Sequence, residues 1–157
     1  AYNERASHSG YNLVCYSLLE RGKSSDYFGE TLATGSHMLS LKAVLEGKAH
    51  AAALDSHMLD VLRKEQPDIK IRVIGMLGPS TIPPIVVARR LDAGLKRQIQ
   101  SALISIHKDG YAANELSKGL IGRFVPIVDE NYNDIRSMLA RVQQQDFIFN
   151  RIFTGLL

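Results

Sequence analysis

Two different periods of hydrophobic and polar residues alternate along the first half of the chain. Short strand-like stretches at 1–3, 30–34 and 49–54 are separated by segments whose apolar residues recur every three or four positions. These periodic segments predict helices, at 10–21, 37–46 and 55–65. Gly22 and Gly47 directly follow the first two, where glycine is favoured past the end of a helix. The alternation indicates an α/β protein with a mostly parallel sheet.

The second half continues with strands and helices in a less regular order. Apolar runs at 69–76 and 85–88 predict strands on either side of a proline-rich turn. The clearest helical pattern covers 92–107, where apolar residues form one continuous stripe. Weaker patterns predict helices at 111–116 and 129–145, an extended segment at 124–127 and an ambiguous apolar tail at 147–157.

Two similar junctions connect predicted strands to the helices that follow them. The first junction is Ser7-His8-Ser9-Gly10-Tyr11, and the second is Thr34-Gly35-Ser36-His37. Unpaired N–H groups and the positive end of the helix dipole favour an anion at a helix start, and hydroxyl side chains add donors. Two such junctions in consecutive units therefore predict one anionic ligand held between them.

Asp55 begins the third predicted helix and completes the candidate site. Right-handed crossovers place the starts of all three helices at one edge of a parallel sheet, which is where ligands bind in such folds. Each residue also has a structural explanation that the sequence leaves open. Hydroxyls, glycine and Asp55 suit helix N-caps, and Tyr11 suits either the core or the site.

Composition narrows the classes of function. The 157 residues are 45% hydrophobic and 22% charged, with a net charge of +3, as in an ordinary globular domain. Basic residues are scattered, so binding to nucleic acid is not indicated. No apolar run approaches the length of a transmembrane helix.

Neither a metal nor a cofactor is expected from the residues present. The single Cys15 cannot form an intrachain disulfide, and its helical context favours a small buried side chain over a reactive thiol. His50 and His57 straddle a predicted strand and helix and are interpreted as non-metal residues. His8 is expected to be solvated rather than to contact a ligand.

Beyond these patterns, the chain resembles the phosphonate/phosphate-type (PhnD-like) periplasmic solute-binding proteins of ABC transporters. The resemblance covers residues 1 to about 138 and depends on the order of several short motifs. They include the two junctions, Tyr27-Phe28-Gly29, the run from Gly47 to Ser56, Val73-Ile74-Gly75, Gly78-Pro79-Ser80 with Pro83-Pro84, and Gly122-Arg123-Phe124-Val125-Pro126.

This resemblance implies a type II periplasmic-binding-protein-like fold, with three α/β/α layers in each of two lobes that close on an oxoanion. It implies a phosphonate, phosphate or phosphite ligand, a transporter permease as partner, a periplasmic or extracytoplasmic location and no catalysis. The ligand-binding residues carried over from the family motifs are Ser7, Ser9, Gly10, Tyr11, Ser36, His37 and Asp55. Met38 occupies a position that is often acidic in the family, which disfavours an aminophosphonate ligand.

A second departure from the family concerns the start of the chain. The family has roughly a hundred residues before the position of Ala1, and neither they nor a signal peptide are present here. The expected division is a ligand-binding lobe core with βαβαβ order at 1–54, a return segment at 55–140 and a tail of uncertain role at 141–157. An incomplete first lobe would expose a sheet edge, so a homo-oligomer or swapped dimer is a further expectation.

Two other functions compete with transport. The same fold can serve as the sensory ligand-binding domain of a signalling receptor. A hydrolase would need a nucleophile and a base, and Ser7 or Ser9 with His37 or His8 and Asp55 imitates the residue types of a triad. No G-x-S-x-G nucleophile elbow is present, which disfavours the hydrolase.

Overall fold

The computed structural model describes residues 1–149 and the backbone of 152–153. Within this part of the chain, a π-helical turn at His8–Asn12 leads into the first of six α-helices, and 3₁₀ turns occur at Ile106–Lys108 and Asp129–Tyr132. The helices are α1 (Leu13–Glu20), α2 (His37–Leu45), α3 (Ser56–Glu65), α4 (Ala93–Ser105), α5 (Gly110–Lys118) and α6 (Asn133–Gln144). The strands are β1 (Thr31–Leu32) and β2 (Ile152–Phe153).

Parallel backbone pairing organises the first third of the chain. β1 pairs with β2, with Thr31 opposite Ile152 and Leu32 opposite Phe153. Tyr2 forms a parallel bridge to Ala33, and its amide donates to the Leu32 carbonyl at 2.9 Å.

The start of the chain also contacts the segment before α3. The Ala1 nitrogen donates to the Ala51 carbonyl at 2.6 Å, and the Ala53 amide donates to the Ala1 carbonyl at 3.3 Å. Backbone groups of successive extended residues point in opposite directions, so 51–53 lies on the side of residues 1–2 opposite β1. The parallel order is therefore 51–53, 1–2, β1 and β2.

The helix boundaries follow from short-range sequence signals. Side chains of Ser36, Asp55, Asp92 and Asp109 cap the first turns of α2, α3, α4 and α5. Gly22 and Gly47 have φ angles of 63° and 71° just past α1 and α2. The prediction that these glycines end their helices is confirmed, because this left-handed conformation is strained for other residues.

An aromatic cluster forms the core beneath α1. Tyr11 packs edge-on against Phe149 with ring centroids 5.2 Å apart, and Tyr2 lies 4.9 Å from Tyr11. The Phe149 amide donates to the Tyr11 hydroxyl at 3.3 Å. The other buried members of the cluster are Cys15, Leu18, Val142 and Phe147. The cluster thus joins the start of the chain to α6 and the residues after it.

The predicted strands at 49–54, 69–76 and 85–88 are not strands in the structure. In the last two, Ile74, Met76 and Val86 are 75%, 86% and 78% exposed. A strand requires a neighbouring backbone to satisfy its N–H and C=O groups, and the described residues provide none for these two segments.

The described residues therefore form a mainly helical structure with little sheet. The three-layer α/β/α arrangement, like the division at residues 54 and 140, stays a prediction. The predicted tail at 141–157 contains the end of α6 and the core residues Phe147 and Phe149, and 150–151 and 154–157 lie outside the described residues. In the part of the chain described, no helix is long and apolar enough to cross a membrane.

Replacing Leu18 by Ala tests the position of the core. Leu18 is 8% exposed, so Leu18→Ala should lower the free energy of unfolding by about 3 kcal/mol through lost burial and a cavity. Leu45→Ala is the matched control, because Leu45 is 47% exposed and its loss should cost within about 0.5 kcal/mol. Equal destabilisation of the two variants in urea unfolding would place the core elsewhere.

Candidate functional site

The two strand–helix junctions meet in the folded chain. Ser9 Oγ lies 3.2 Å from Nε2 of His37, although the residues are 28 positions apart. Asn3 Nδ2 lies 3.5 Å from the same ring nitrogen. The sequence predicted that the junctions share one edge of a sheet, and the parallel order of residues 1–2 and β1 brings them there.

The first junction begins with an N-cap and a π-helical turn. Ser7 Oγ accepts a hydrogen bond from the Gly10 amide at 3.1 Å, and the Ser7 carbonyl accepts from the Asn12 amide at 3.0 Å. This five-residue step widens the turn, and such turns are frequent at functional sites. Ser7 therefore caps its helix, and its hydroxyl proton remains to be donated elsewhere.

The second junction is fixed by hydroxyl contacts. Ser36 Oγ accepts from the Leu39 amide at 3.1 Å and so caps α2. Thr34 Oγ1 lies 3.1 Å from the Tyr2 carbonyl and 2.7 Å from Ser40 Oγ. The amides of His37 and Met38 occupy the first turn of α2, where the helix itself offers no acceptor.

Asp55 caps α3 and lines the same cleft as the junctions. Its Oδ1 accepts from the Met58 amide at 3.0 Å. The preceding residues 51–53 lie beside Ala1, which brings the start of α3 to the edge where the first two helices begin. The structural explanation of Asp55 as an N-cap is confirmed, and a role in ligand binding is compatible with it.

A cleft of about 1970 Å³ contains most of the predicted site residues. Ser7, Ser9, Gly10, His37 and Asp55 line it. Its walls carry three cationic side chains and three acidic ones, which are Arg21, Lys48, Arg63, Glu30, Asp55 and Asp60. The side-chain charges on the cleft walls therefore balance, and no single sign of side-chain charge dominates the cleft.

Tyr11 and Ser36 are placed differently from the other predicted site residues. Tyr11 is 4% exposed and belongs to the aromatic core, where its hydroxyl faces the Phe149 amide. Ser36 stands at the start of α2, next to His37, and caps that helix without lining the cleft wall.

His8 is partly buried, so the expectation that it is solvated is wrong. Its Nε2 lies 2.9 Å from Ser80 Oγ, 72 residues away. Burial lowers the pKa of His8, and the nearby Asp134 carboxylate opposes this shift. Sequence reasoning missed this contact and the one between Asn3 and His37, because neither pair has a local pattern.

Among the described residues, no group of three or more His, Cys, Asp or Glu side chains is placed to hold a metal ion. His50 and His57 are both exposed. His57 Nε2 instead lies 2.7 Å from the Gly119 carbonyl, which ties α3 to the end of α5.

A comparison with protein-family models matches residues 1–132 to the family described as ABC transporter, phosphonate, periplasmic substrate-binding protein. The chain belongs to this family. The matched region includes both junctions, Asp55 and the cleft walls up to Tyr132, whereas α6 lies outside it. A search of the curated proteins found no match.

Membership confirms the resemblance seen in the motifs and identifies the chain as a phosphonate-type solute-binding domain of an ABC transporter. The family implies a periplasmic-binding-protein-like fold and a transporter permease as partner. The family description says that its members are periplasmic and bind substrate. It does not identify the residues that contact the anion.

The Cys15 thiol provides a pH-dependent test of the core beside the site. Burial raises the pKa of Cys15 from 9.0 to about 11, so the folded state holds the protonated thiol more strongly than the unfolded state does. This contribution to stability is fully present below pH 9.0 and is lost as the pH rises through about 11. The unfolding free energy of the wild type should therefore fall more steeply over this range than that of Cys15→Ala. Parallel pH profiles in urea unfolding would contradict the assigned burial.

Proposed function

We propose that this chain binds a small oxoanion of the phosphonate, phosphate or phosphite class as the solute-binding component of an ABC importer. The observation that carries the proposal is the contact of Ser9 Oγ with His37 Nε2 at 3.2 Å. It places two helix starts around one point in a chain of the phosphonate-binding family. The extracytoplasmic location and delivery to a permease are part of the same proposal.

The proposed anion receives hydrogen bonds from both junctions. Backbone amides in the first turns of the π-helical segment and of α2 provide fixed donors, and the helix dipoles add favourable potential. The Ser7 hydroxyl adds a further donor, since its oxygen accepts from the Gly10 amide and its proton remains available. The Ser9 hydroxyl adds another when it turns its proton from His37 Nε2 to the anion. This arrangement suits a tetrahedral oxoanion with several acceptor oxygens.

Asp55 gives the proposed site a preference for a protonated ligand. A carboxylate repels a fully ionised anion, but it accepts a hydrogen bond from a P–OH group. Asp55 lines the cleft while one of its oxygens caps α3. The ligand form that fits is therefore a monoanion that keeps one proton.

The same residues fit a hydrolase less well. A serine hydrolase needs a third group that orients the histidine by accepting a hydrogen bond from its other ring nitrogen. In the described part of the chain, His37 Nδ1 is buried without a hydrogen-bond partner. The Ser9–His37 pair therefore lacks the orienting carboxylate, which supports binding over catalysis.

The finer architecture is part of the proposal. Residues 1–54 form the ligand-binding lobe core, and 55–140 return towards the other lobe. The parallel order of 51–53, 1–2 and β1 supports the first assignment. The exposed apolar segments at 69–76 and 85–88 support the assignment of 55–140, since these segments have the composition of buried strands.

Calorimetric titration with methylphosphonate, phosphite and phosphate tests the function. We expect saturable binding of at least one anion, and Ser9→Ala should weaken it about tenfold, because a hydrogen bond to a charged group is lost. Ser101→Ala is the control, as Ser101 is exposed on α4. Absence of heat with all three anions in folded protein would overturn the proposal, as would equal affinities of the two variants.

Asp55→Asn separates ligand protonation from helix capping, because Asn is an equally good N-cap. The wild type should lose affinity for methylphosphonate as the pH rises through the ligand's second ionisation. Asp55→Asn should flatten this dependence, since an amide does not repel the dianion and can donate to it. Calorimetry on both sides of that ionisation measures the difference, and an unchanged pH profile in the variant would remove Asp55 from the site.

A further inference from the structure

Asn3 lies against both junctions: its backbone and side chain contact the second, and its side chain also lies against Gly10 of the first. Its carbonyl accepts a hydrogen bond from the Gly35 amide at 2.8 Å, directly before the N-cap of α2. Its side-chain amide reaches His37 Nε2 at 3.5 Å. Neither contact follows from a local sequence pattern, because the partners are more than 30 positions away.

The first junction is shaped to receive this side chain. Gly10 is buried, and a Cβ built on it would collide with the Asn3 amide, coming within 2.7 Å of Cγ. Glycine at position 10 therefore leaves the space that the Asn3 side chain occupies. The Asn3 side-chain amide thus lies against the π-helical turn that precedes α1 and beside His37, the first residue of α2.

Two donors face the same ring nitrogen of His37. Ser9 Oγ is 3.2 Å from Nε2, and Asn3 Nδ2 is 3.5 Å from it. In the Nδ1–H tautomer of a neutral imidazole, Nε2 has one lone pair and accepts one good hydrogen bond at a time. If Ser9 turns its proton towards an anion, Nε2 would lose its partner at a partly buried position unless a second donor replaces it.

We propose that Asn3 is a positioning residue that donates to His37 Nε2 when the Ser9 hydroxyl donates to the bound oxoanion. This inference rests on the proposed function and adds a residue that acts through His37 and Ser9. Asn3 keeps the imidazole satisfied and in place, so that Ser9 can exchange its partner without leaving a buried acceptor unpaired.

A double-mutant cycle on methylphosphonate affinity tests the exchange. Asn3→Ala should weaken binding about tenfold in the wild type, because an unpaired acceptor is then created on binding. In the Ser9→Ala background, Asn3→Ala should lower the methylphosphonate affinity by less than about twofold, since no hydroxyl proton is then exchanged. A purely structural role for Asn3 would give equal losses in both backgrounds and would overturn the proposal.

The tautomer of His37 in the ligand-free protein tests the Asn3 contact independently of the proposed anion binding. In ¹⁵N-histidine spectra, with His37 assigned from His37→Gln, the wild type, Asn3→Ala and Ser9→Ala should each keep the Nδ1–H tautomer. The double variant should lose this preference, because no donor then faces Nε2. If Ser9→Ala alone loses it, Asn3 does not donate to His37 and the proposal fails, whatever the anion titrations show.

Asn3→Asp is a second, isosteric variant. It keeps the test possible if Asn3→Ala does not fold. The carboxylate keeps the shape of the amide but only accepts hydrogen bonds, so His37 should change to the Nε2–H tautomer. Its negative charge should also weaken anion binding more than Asn3→Ala does. Retention of the Nδ1–H tautomer in Asn3→Asp would show that residue 3 does not contact the ring.

Discussion

The backbone hydrogen bonds of residues 1–3 are the interaction on which the candidate site depends. Ala1 pairs with 51–53, Tyr2 pairs with Leu32 and Thr34, and the Asn3 carbonyl accepts from Gly35. These bonds bring the segments before α2 and α3 to either side of the segment before α1. Because these segments run parallel, the three helices that follow them begin at one edge, where Ser7, His37 and Asp55 line one cleft.

Three of the predicted site residues have a structural task beside the binding role proposed for the site. Ser7, Ser36 and Asp55 each cap a helix through one oxygen. Capping does not exhaust a hydroxyl, which keeps its proton, or a carboxylate, which has a second oxygen. The caps therefore stabilise the helix starts, and in the proposed site those of Ser7 and Asp55 would hold a donor and an acceptor in fixed positions, which would lower the entropy cost of ligand binding.

The helical core and the extended segments differ in how completely they are buried. Around Tyr11, aromatic rings from distant parts of the chain enclose Cys15, which is 0% exposed. The segments at 69–76 and 85–88 are also rich in apolar residues, but most of their side chains remain exposed. Apolar composition favours burial, but a strand also needs neighbouring backbone, and no described segment pairs with them.

Local interactions explain which features were predictable from the amino-acid sequence. The six helices, their caps at Ser36 and Asp55, and the terminating glycines all depend on contacts within about four residues, so each was visible as a short pattern. The same patterns indicated anion-friendly helix starts and, with the family motifs, the phosphonate-binding family. Contacts across long stretches of sequence were decided only by the tertiary structure: Ser9 and Asn3 against His37, His8 against Ser80, and Tyr11 in the core. Such pairs depend on which strands lie side by side, and pairing between distant segments leaves no periodicity in the sequence of either one.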